Sequence, residues 1–189
     1  PGVDGAAAFA AVKDSLTHPG YDGLGEYERL GWVPDERQSS SASKTLEFAY
    51  DDWAAARMAQ ALGLTAEAER FGRRARFARN LWDPATGFMR ARRADGAWRA
   101  PFDPLQTHDQ GYIEGNAWNY SLYVPHDVAW LVQAMGGDDA FAARLDSLFT
   151  MSLPAEAIAG TEDIARVGVM GNYVHGNEPS HHIPYLYAW

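Results

Sequence analysis

Two long segments with helical hydrophobic periodicity, joined by only two residues, constrain the fold most. In residues 44–62 the apolar side chains spread around much of the helix circumference, which predicts a helix buried on more than one side. In residues 65–82 the apolar side chains recur at the spacing of a single helix face. Because only Gly63 and Leu64 connect the two segments, we expect antiparallel neighbouring helices.

The same pattern recurs along the chain. One helix is predicted over residues 128–135, ended by the glycine pair 136–137, and a second apolar stripe follows over residues 141–149. Residues 5–16 also form a predicted helix. Asp95-Gly96, between two short runs, predicts a β-hairpin. The predicted fold class is therefore all-α, built from α-hairpins with a small β-hairpin insertion.

Composition excludes several classes of protein. The 189 residues, 47% of them hydrophobic, suffice for one domain with a substantial core. The net charge of −9 comes without a basic stripe, which argues against nucleic-acid binding. The arginines clustered around Arg74 predict a solvated helix face, because an apolar stripe runs opposite them.

Two absences in the sequence narrow the possibilities further. Without cysteine, the chain has neither disulfides nor thiolate metal sites. No run of 18 apolar residues is present, so no membrane span is predicted. The chain begins without methionine and stops directly after an aromatic run, and we expect it to be a piece of a longer protein.

The segment over residues 114–128 combines a carboxylate, amides and a histidine with several aromatic rings. Such a mixture suits a pocket that stacks on a sugar ring and protonates a leaving group. Glu114 stands close to Trp118 and Tyr120, and desolvation among rings would raise the pKa of its carboxyl. A general acid must keep its proton near neutral pH, and glycoside hydrolysis needs such an acid to protonate the leaving oxygen. The alternative is a structural carboxylate that caps a helix.

A second polar and aromatic segment covers residues 176–187. Asn177 and Glu178 supply oxygen atoms in a turn bounded by Gly176 and Pro179. Calcium takes amide and carboxylate oxygens as ligands, so these two residues are candidate calcium ligands. The alternative is an ordinary turn in which the asparagine side chain bonds to its own backbone.

The acidic pair inside the first long helix needs partners. Asp51 and Asp52 point about 100° apart on a helix, so at least one faces the protein interior. A buried carboxylate is costly unless it is paired. The partner is either an arginine, such as Arg57 or Arg90, or the hydroxyl groups of a bound sugar.

Histidines and aromatic rings complete the candidate site. His181 and His182 lack the spacing of a zinc motif and are candidates for hydrogen bonds to substrate or to a calcium shell, or for structural roles. The best candidates for a sugar-stacking platform are Trp118, Tyr120 and Trp98, because they adjoin the polar segments.

Four segments together resemble the signature segments of glycoside hydrolase family 92, the calcium-dependent exo-acting α-mannosidases. They occur in order, at residues 41–53, 83–92, 114–128 and 176–187. The resemblance runs from about Tyr27 to Tyr187 and implies that the α-hairpins form part of an (α/α)₆ toroid. It also implies that residues 1–189 are a partial catalytic domain, without the family's N-terminal β-sandwich and the C-terminal part of the toroid. An extracytoplasmic location, secreted or periplasmic, follows from the same resemblance.

The resemblance also implies roles for single residues. Glu114 would be the general acid, and Asn177 and Glu178 would bind Ca²⁺ near the scissile mannose. The substrate would be a mannose-containing glycan whose terminal α-linked mannose is removed with inversion, contacted by Asp51, Asp52, Trp118, His181 and His182. The family's general base is expected beyond Trp189, so we expect the chain alone to lack useful hydrolytic activity.

Two other functional classes stay open. The chain can be a carbohydrate-binding or scaffold module that keeps the pocket without catalysis, or a different toroid enzyme such as another glycosidase or a lyase. The lyase is least favoured, because the motif region is poor in arginine and lysine. Ile113 stands where the family pattern predicts threonine, and Asn119 stands where it predicts glutamine. These departures leave the linkage preference open.

Overall fold

The computed structural model describes residues 2–153 and 169–189, which are mostly helical. No helix in these two ranges has the length and apolar character of a membrane span. The α-helices are α1 Gly5–Leu16, α2 Leu24–Leu30, α3 Ser41–Ala61, α4 Thr65–Arg74, α5 Ala117–Tyr120, α6 Val128–Ala134 and α7 Asp138–Thr150. Segments of 3₁₀-helix cover Ala75–Leu81, Glu178–Ser180 and Ile183–Ala188.

Two small antiparallel sheets accompany the helices. The first pairs β1 (Trp82–Asp83) with β2 (Phe88–Met89), and the second pairs β3 (Val169–Met170) with β4 (Tyr173–Val174). The prediction of an all-α fold with a small β insertion is therefore confirmed for the described residues.

Helix α3 is the central element of the described structure. Its residues contribute to all three clusters of buried hydrophobic side chains: Leu46 to the largest, Ala55 to the cluster with α1 and α4, and Phe48 to the cluster with α2. This matches the prediction of a helix buried on more than one side. A helix held on several sides is a rigid support for the polar side chains on its remaining face.

The α3–α4 hairpin forms as predicted, but its second arm is shorter. Gly63 adopts a φ of +73° in the connection, a conformation that favours glycine. The α-helix ends at Arg74, and the chain continues as 3₁₀-helix to Leu81 before Trp82 enters β1. A tighter 3₁₀ segment at the end of an α-helix is common.

The β insertion is arranged differently from the prediction. The turn at Asp95-Gly96 is present, with a single bridge between Arg92 and Trp98. The β1–β2 ladder closes one turn earlier, because the Asp83 carboxylate accepts hydrogen bonds from the Ala85 N–H at 3.0 Å and the Thr86 hydroxyl at 3.1 Å. This aspartate turn is a local signal that the sequence prediction missed.

Arg74 contradicts the prediction of a uniformly solvated arginine cluster, since it is only 4% exposed. Its guanidinium donates to the Asp52 carboxylate at 3.0 Å and to the Leu16 carbonyl at 2.8 Å. The prediction failed because the partner carboxylate lies on the neighbouring helix α3, where spacing within α4 gives no information about it.

Candidate functional site

Three carboxylates, from three separate segments, lie within electrostatic range of the Glu47 carboxyl. The Tyr123 hydroxyl donates a hydrogen bond to Oε2 of Glu47 at 2.9 Å. The charges of Asp51, Glu178 and Glu114 all act on the Glu47 carboxyl. The structure thus brings together three residues singled out in the sequence with a fourth, Glu47, that sequence reasoning missed.

The electrostatics of Glu47 are those of a crowded, partly dehydrated acid. Burial raises the pKa of Glu47, the hydrogen bond from Tyr123 lowers it, and the charges of Asp51, Glu178 and Glu114 raise it again. The net result is a raised pKa. A perturbed carboxyl with several charged neighbours is a common property of functional sites.

Helix α3 places Glu47 and Asp51 on one face, because they are four residues apart. That spacing within the segment 41–53 is the signal that would have identified Glu47. Asp51 also lines a cavity of about 590 Å³ between α1 and α3, together with His18 and Tyr21. Burial raises the pKa of Asp51.

The loop that carries Glu114 is fixed to the N-terminus of α3. The Gly111 carbonyl accepts hydrogen bonds from the N–H groups of Ala42 at 2.9 Å and Ser43 at 3.2 Å. The Ile113 N–H in turn donates to the Ser43 hydroxyl at 3.0 Å. The first N–H groups of a helix have no partner within the helix, so this loop satisfies them and is held in place. Glu114 follows directly.

A network of buried asparagines fixes the chain after Glu114. The side chains of Asn116 and Asn172 exchange two hydrogen bonds, at 3.1 and 3.2 Å, and Asn119 donates to the Asn172 carbonyl at 2.8 Å. Asn119 also accepts from the Asn116 N–H, which completes the cap of α5. The network joins α5 to the turn between β3 and β4. Asn119, which stands where the family pattern predicts glutamine, bonds inside the fold.

Glu114 itself is exposed, although neighbouring rings predicted a desolvated carboxyl. The charge of Glu114 still acts on the buried Tyr120 hydroxyl. Tyr120 is 1% exposed and stacks on Tyr112 at 5.5 Å, so its ring is not available as a sugar platform. Glu114 nevertheless lies within electrostatic range of Glu47, as Glu178 does.

The two tryptophans considered as platforms are each partly covered by an arginine. The Arg144 guanidinium lies 4.5 Å from the ring centre of Trp118, and Phe88 packs against the same ring at 5.3 Å. The Arg92 guanidinium lies 4.7 Å from the ring centre of Trp98. Trp118 is half-buried and keeps its role in substrate binding as a prediction.

Asn177 has the clearest unsatisfied polar group near the carboxylates. It is 2% exposed, and neither its amide oxygen nor its amide nitrogen has a hydrogen-bond partner in the part of the chain described. The neighbouring Glu178 is exposed. A buried amide oxygen without a partner fits a hard cation such as calcium. Among the described residues no three histidine, aspartate or glutamate side chains are grouped to hold a metal, so further ligands would be needed.

The two histidines have different surroundings. His182 is half-buried, its Nε2 lies 2.7 Å from the Leu122 carbonyl, and its ring packs against Tyr123 at 5.8 Å. Burial lowers the pKa of His182, which favours the neutral ring. His181 is exposed and lies 5.2 Å from the ring of His175. His182 is therefore linked through Tyr123 to Glu47, whereas His181 is not.

Asp52 is directed away from this group. It is fully buried and its Oδ2 accepts hydrogen bonds from Tyr27 at 2.8 Å and Arg74 at 3.0 Å. Its partner is an arginine, as one of the two alternatives stated, but neither Arg57 nor Arg90. Burial outweighs the charge of Arg74 and raises the pKa of Asp52 to about 6.

The catalytic-domain model of glycosyl hydrolase family 92 matches residues 2–189 of this chain. The chain belongs to family 92. The resemblance recognised in four sequence segments is therefore confirmed, and it extends over nearly every residue.

Solved structures similar to this family 92 chain come from Bacteroides thetaiotaomicron. The α-mannosidase BT3965 is 40% identical with a TM-score of 0.90, and its complex with mannoimidazole is 38% identical with a TM-score of 0.88. The inverting mannosidase BT2199 is 34% identical with a TM-score of 0.84. Each comparison covers 99% of this chain, and the chain spans 24%, 25% and 27% of the three structures respectively.

A curated relative of the family 92 chain is a fungal protein described as an uncharacterized secreted glycosidase, from Arthroderma benhamiae. It is 27% identical over 175 residues, which cover 74% of this chain and 22% of the relative. The family 92 chain therefore spans about a quarter of the length of the proteins it matches.

Proposed function

We propose that this family 92 chain carries the acid side of the active site of a glycosidase that removes terminal α-linked mannose. One observation carries the proposal: Asp51, Glu114 and Glu178, from three segments, all lie within electrostatic range of Glu47, which Tyr123 orients. Similar structures that are named as an α-mannosidase and an inverting mannosidase make mannose the expected sugar. The chain would form part of an (α/α)₆ toroid, with the rest of the toroid and an N-terminal β-sandwich supplied by flanking sequence.

Glu114 is proposed as the general acid. It would donate its proton to the glycosidic oxygen as the bond to the mannose C1 breaks, because an alkoxide leaves poorly without one. Its exposed carboxyl, on a loop fixed to α3, is accessible to a substrate. After the step Glu114 is ionised, and solvent returns the proton.

Inversion requires a second carboxylate on the opposite face of the sugar, about 6.5–9.5 Å from the acid, which activates water. A relative named as an inverting mannosidase supports this stereochemistry. We place the general base beyond Trp189, as the family resemblance implies. Within this chain, Asp51, Trp118, His181 and His182 would contact the mannose, whereas Asp52 would act by holding α3 in position.

Calcium is the proposed cofactor, with Asn177 and Glu178 as its ligands. The buried Asn177 amide without a partner and the adjacent carboxylate of Glu178 are suitable oxygen donors. When bound, calcium would hold sugar hydroxyls and favour a distorted ring close to the transition state. The secreted relative supports an extracytoplasmic location, where calcium is abundant.

The acid role is tested with the complete gene product, meaning this chain with its natural flanking sequence. Glu114→Gln removes the proton without changing the side-chain shape, and we expect hydrolysis of mannobiose to fall about 10²- to 10⁴-fold. Hydrolysis of 2,4-dinitrophenyl α-mannoside should fall much less, because that leaving group needs no proton. Initial rates on both substrates make the comparison.

Glu69→Gln is the matched control, because Glu69 is an exposed side chain on α4 that, within residues 2–153 and 169–189, forms one ion pair, a 4.0 Å contact with Arg73. We expect it to leave both rates unchanged. Equal losses on the two substrates in Glu114→Gln would contradict the acid role. Mannose binding by the unaltered protein with no hydrolysis would instead favour a carbohydrate-binding module.

A further inference from the structure

We propose that Glu47 contacts the substrate directly and that its carboxylate accepts a hydrogen bond from a hydroxyl of the terminal sugar. Tyr123 would hold the carboxylate in the orientation that this contact needs. The inference rests on the proposed function and adds to it a specificity-determining residue that selects a hydroxyl-bearing hexose at this position.

Geometry supplies the first argument. The half-buried Glu47 carboxyl is oriented through Oε2, which accepts from the Tyr123 hydroxyl at 2.9 Å. The Tyr123 ring is itself fixed by contacts with Tyr50 at 6.2 Å, Tyr120 at 6.3 Å and His182 at 5.8 Å. A carboxylate oriented through one oxygen keeps acceptor positions on the other for a ligand.

Charge supplies the second argument. Burial disfavours a charge on Glu47 most, and the charges of Asp51, Glu178 and Glu114 add to its effect. In residues 2–153 and 169–189, Glu47 takes part in none of the ion pairs, whereas Lys44 on the preceding turn pairs with Asp22. A partly buried carboxylate among like charges is unfavourable for folding, and hydroxyl groups of a neutral sugar are donors that would relieve it.

A separate observation indicates a polar ligand in the same region. Asn177 precedes Glu178, whose charge reaches Glu47, and both polar atoms of the buried Asn177 amide have no partner among the described residues. Unsatisfied buried amides are rare in folded proteins and mark positions that a ligand or ion completes. Glu47 and Asn177 would therefore belong to one polar pocket.

The test compares the complete gene product with its Glu47→Gln and Tyr123→Phe variants, and with the Glu69→Gln control. In Glu47→Gln we expect kcat/KM for an aryl α-mannoside to fall roughly 10- to 100-fold, the range for a hydrogen bond to a charged group. Mannose binding, measured by calorimetry, should weaken in parallel. Tyr123→Phe should produce a smaller loss in the same direction, and circular dichroism with thermal unfolding verifies that each variant is folded.

A structural role is separated from substrate contact by the four monodeoxy methyl α-mannosides. If Glu47 accepts from one hydroxyl, removing that hydroxyl weakens binding to the unaltered protein but causes no further loss in Glu47→Gln. The other three deoxy sugars should be weakened equally in both proteins. If every deoxy substitution weakens binding to Glu47→Gln as much as it weakens binding to the unaltered protein, the inference is overturned.

The two proposals fail in different ways. If the unaltered protein hydrolyses α-mannosides and Glu47→Gln retains both kcat/KM and affinity, the contact is overturned while the mannosidase function stands. If the protein binds mannose without hydrolysing it, and Glu47→Gln abolishes binding, the contact stands without the enzymatic function. Absence of both binding and hydrolysis in the unaltered protein overturns both.

Discussion

Glu47 and Asp52 are carboxylates five residues apart on α3 with opposite surroundings. Asp52 is fully buried and bonds to Arg74 and Tyr27. Glu47 is half-buried within range of other acids, and in the described part of the chain it accepts one hydrogen bond, from Tyr123. In the first arrangement Arg74 and Tyr27 compensate part of the cost of burying Asp52 and join α3 to α4. The second arrangement costs folding free energy and is better explained by a ligand.

The Asp52–Arg74 pair predicts a pH-dependent stability. Arg74→Met leaves Asp52 buried without its cation, and at pH 7.5 we expect the free energy of unfolding to fall by about 3–5 kcal/mol. Burial raises the pKa of Asp52 to about 6 even beside Arg74. As the pH falls, Asp52 is therefore protonated at a higher pH in the folded state than in the unfolded state. The favourable contribution of Asp52 to the free energy of unfolding is therefore present at low pH and is lost as the pH rises through about 6.

The penalty of Arg74→Met should therefore be smaller at pH 5 than at pH 7.5. Denaturant unfolding of the complete gene product, followed by tryptophan fluorescence at both pH values, measures it. The double variant Arg74→Met with Asp52→Asn removes both charges of this pair and should recover most of the loss at pH 7.5. A penalty that is the same at both pH values would contradict a desolvated Asp52.

At the scale of elements, the N-terminus of α3 determines where Glu114 lies. Gly111 has a φ of +91°, and a Cβ there would lie 2.6 Å from the Cβ of Ala91 and 3.4 Å from that of Ala42. Gly111→Ala would displace the loop whose carbonyl binds the helix end. Since small misplacements of a catalytic group cost up to 100-fold in rate, we expect kcat/KM to fall roughly 10- to 100-fold.

Gly63→Ala is the matched control for this prediction. Gly63 has a similar φ of +73°, but a Cβ there meets nothing within 4 Å. Both substitutions carry the strain of a left-handed backbone, about 1–2 kcal/mol, whereas only Gly111→Ala adds a collision beside the site. Steady-state kinetics and thermal unfolding of both variants separate the two effects. Equal kinetic losses would show that loop position is unimportant.

The distribution of apolar residues along the chain predicted the positions of the main helices. Helix α1 occupies Gly5–Leu16, the predicted range, and α3 extends the predicted 44–62 by one turn at its start. Prediction was wrong where local bonds override periodicity. The helical spacing of apolar residues after Thr65 continues to Trp82, yet the α-helix ends at Arg74. The Asp83 turn closes a β-ladder that no alternation of apolar and polar side chains predicts.

At the scale of the whole molecule, the sequence segments identified the family, whereas their mutual arrangement required the structure. Glu114 and Glu178 could be named from their motifs. That both act on Glu47 could not, because the three residues come from elements far apart in sequence. The burial of Asn177 depends in the same way on packing that no single segment contains.

Calcium dependence is a prediction for the complete gene product. The buried Asn177 amide has no partner among the described residues, and Glu178 follows it directly, so these two residues would supply oxygen ligands to a divalent cation together with ligands from outside this chain. Chelation should reduce α-mannoside hydrolysis at least 100-fold, and Ca²⁺ should restore it. Mg²⁺ at equal concentration should not restore hydrolysis, since it demands a smaller octahedral site.

Asn177→Ala should raise the Ca²⁺ concentration for half-maximal activity roughly 10- to 100-fold, whereas Gln60→Ala, which removes an exposed amide on α3, should not change it. Full activity after exhaustive chelation would exclude calcium from the reaction, and an unchanged calcium requirement in Asn177→Ala would remove that residue from the site.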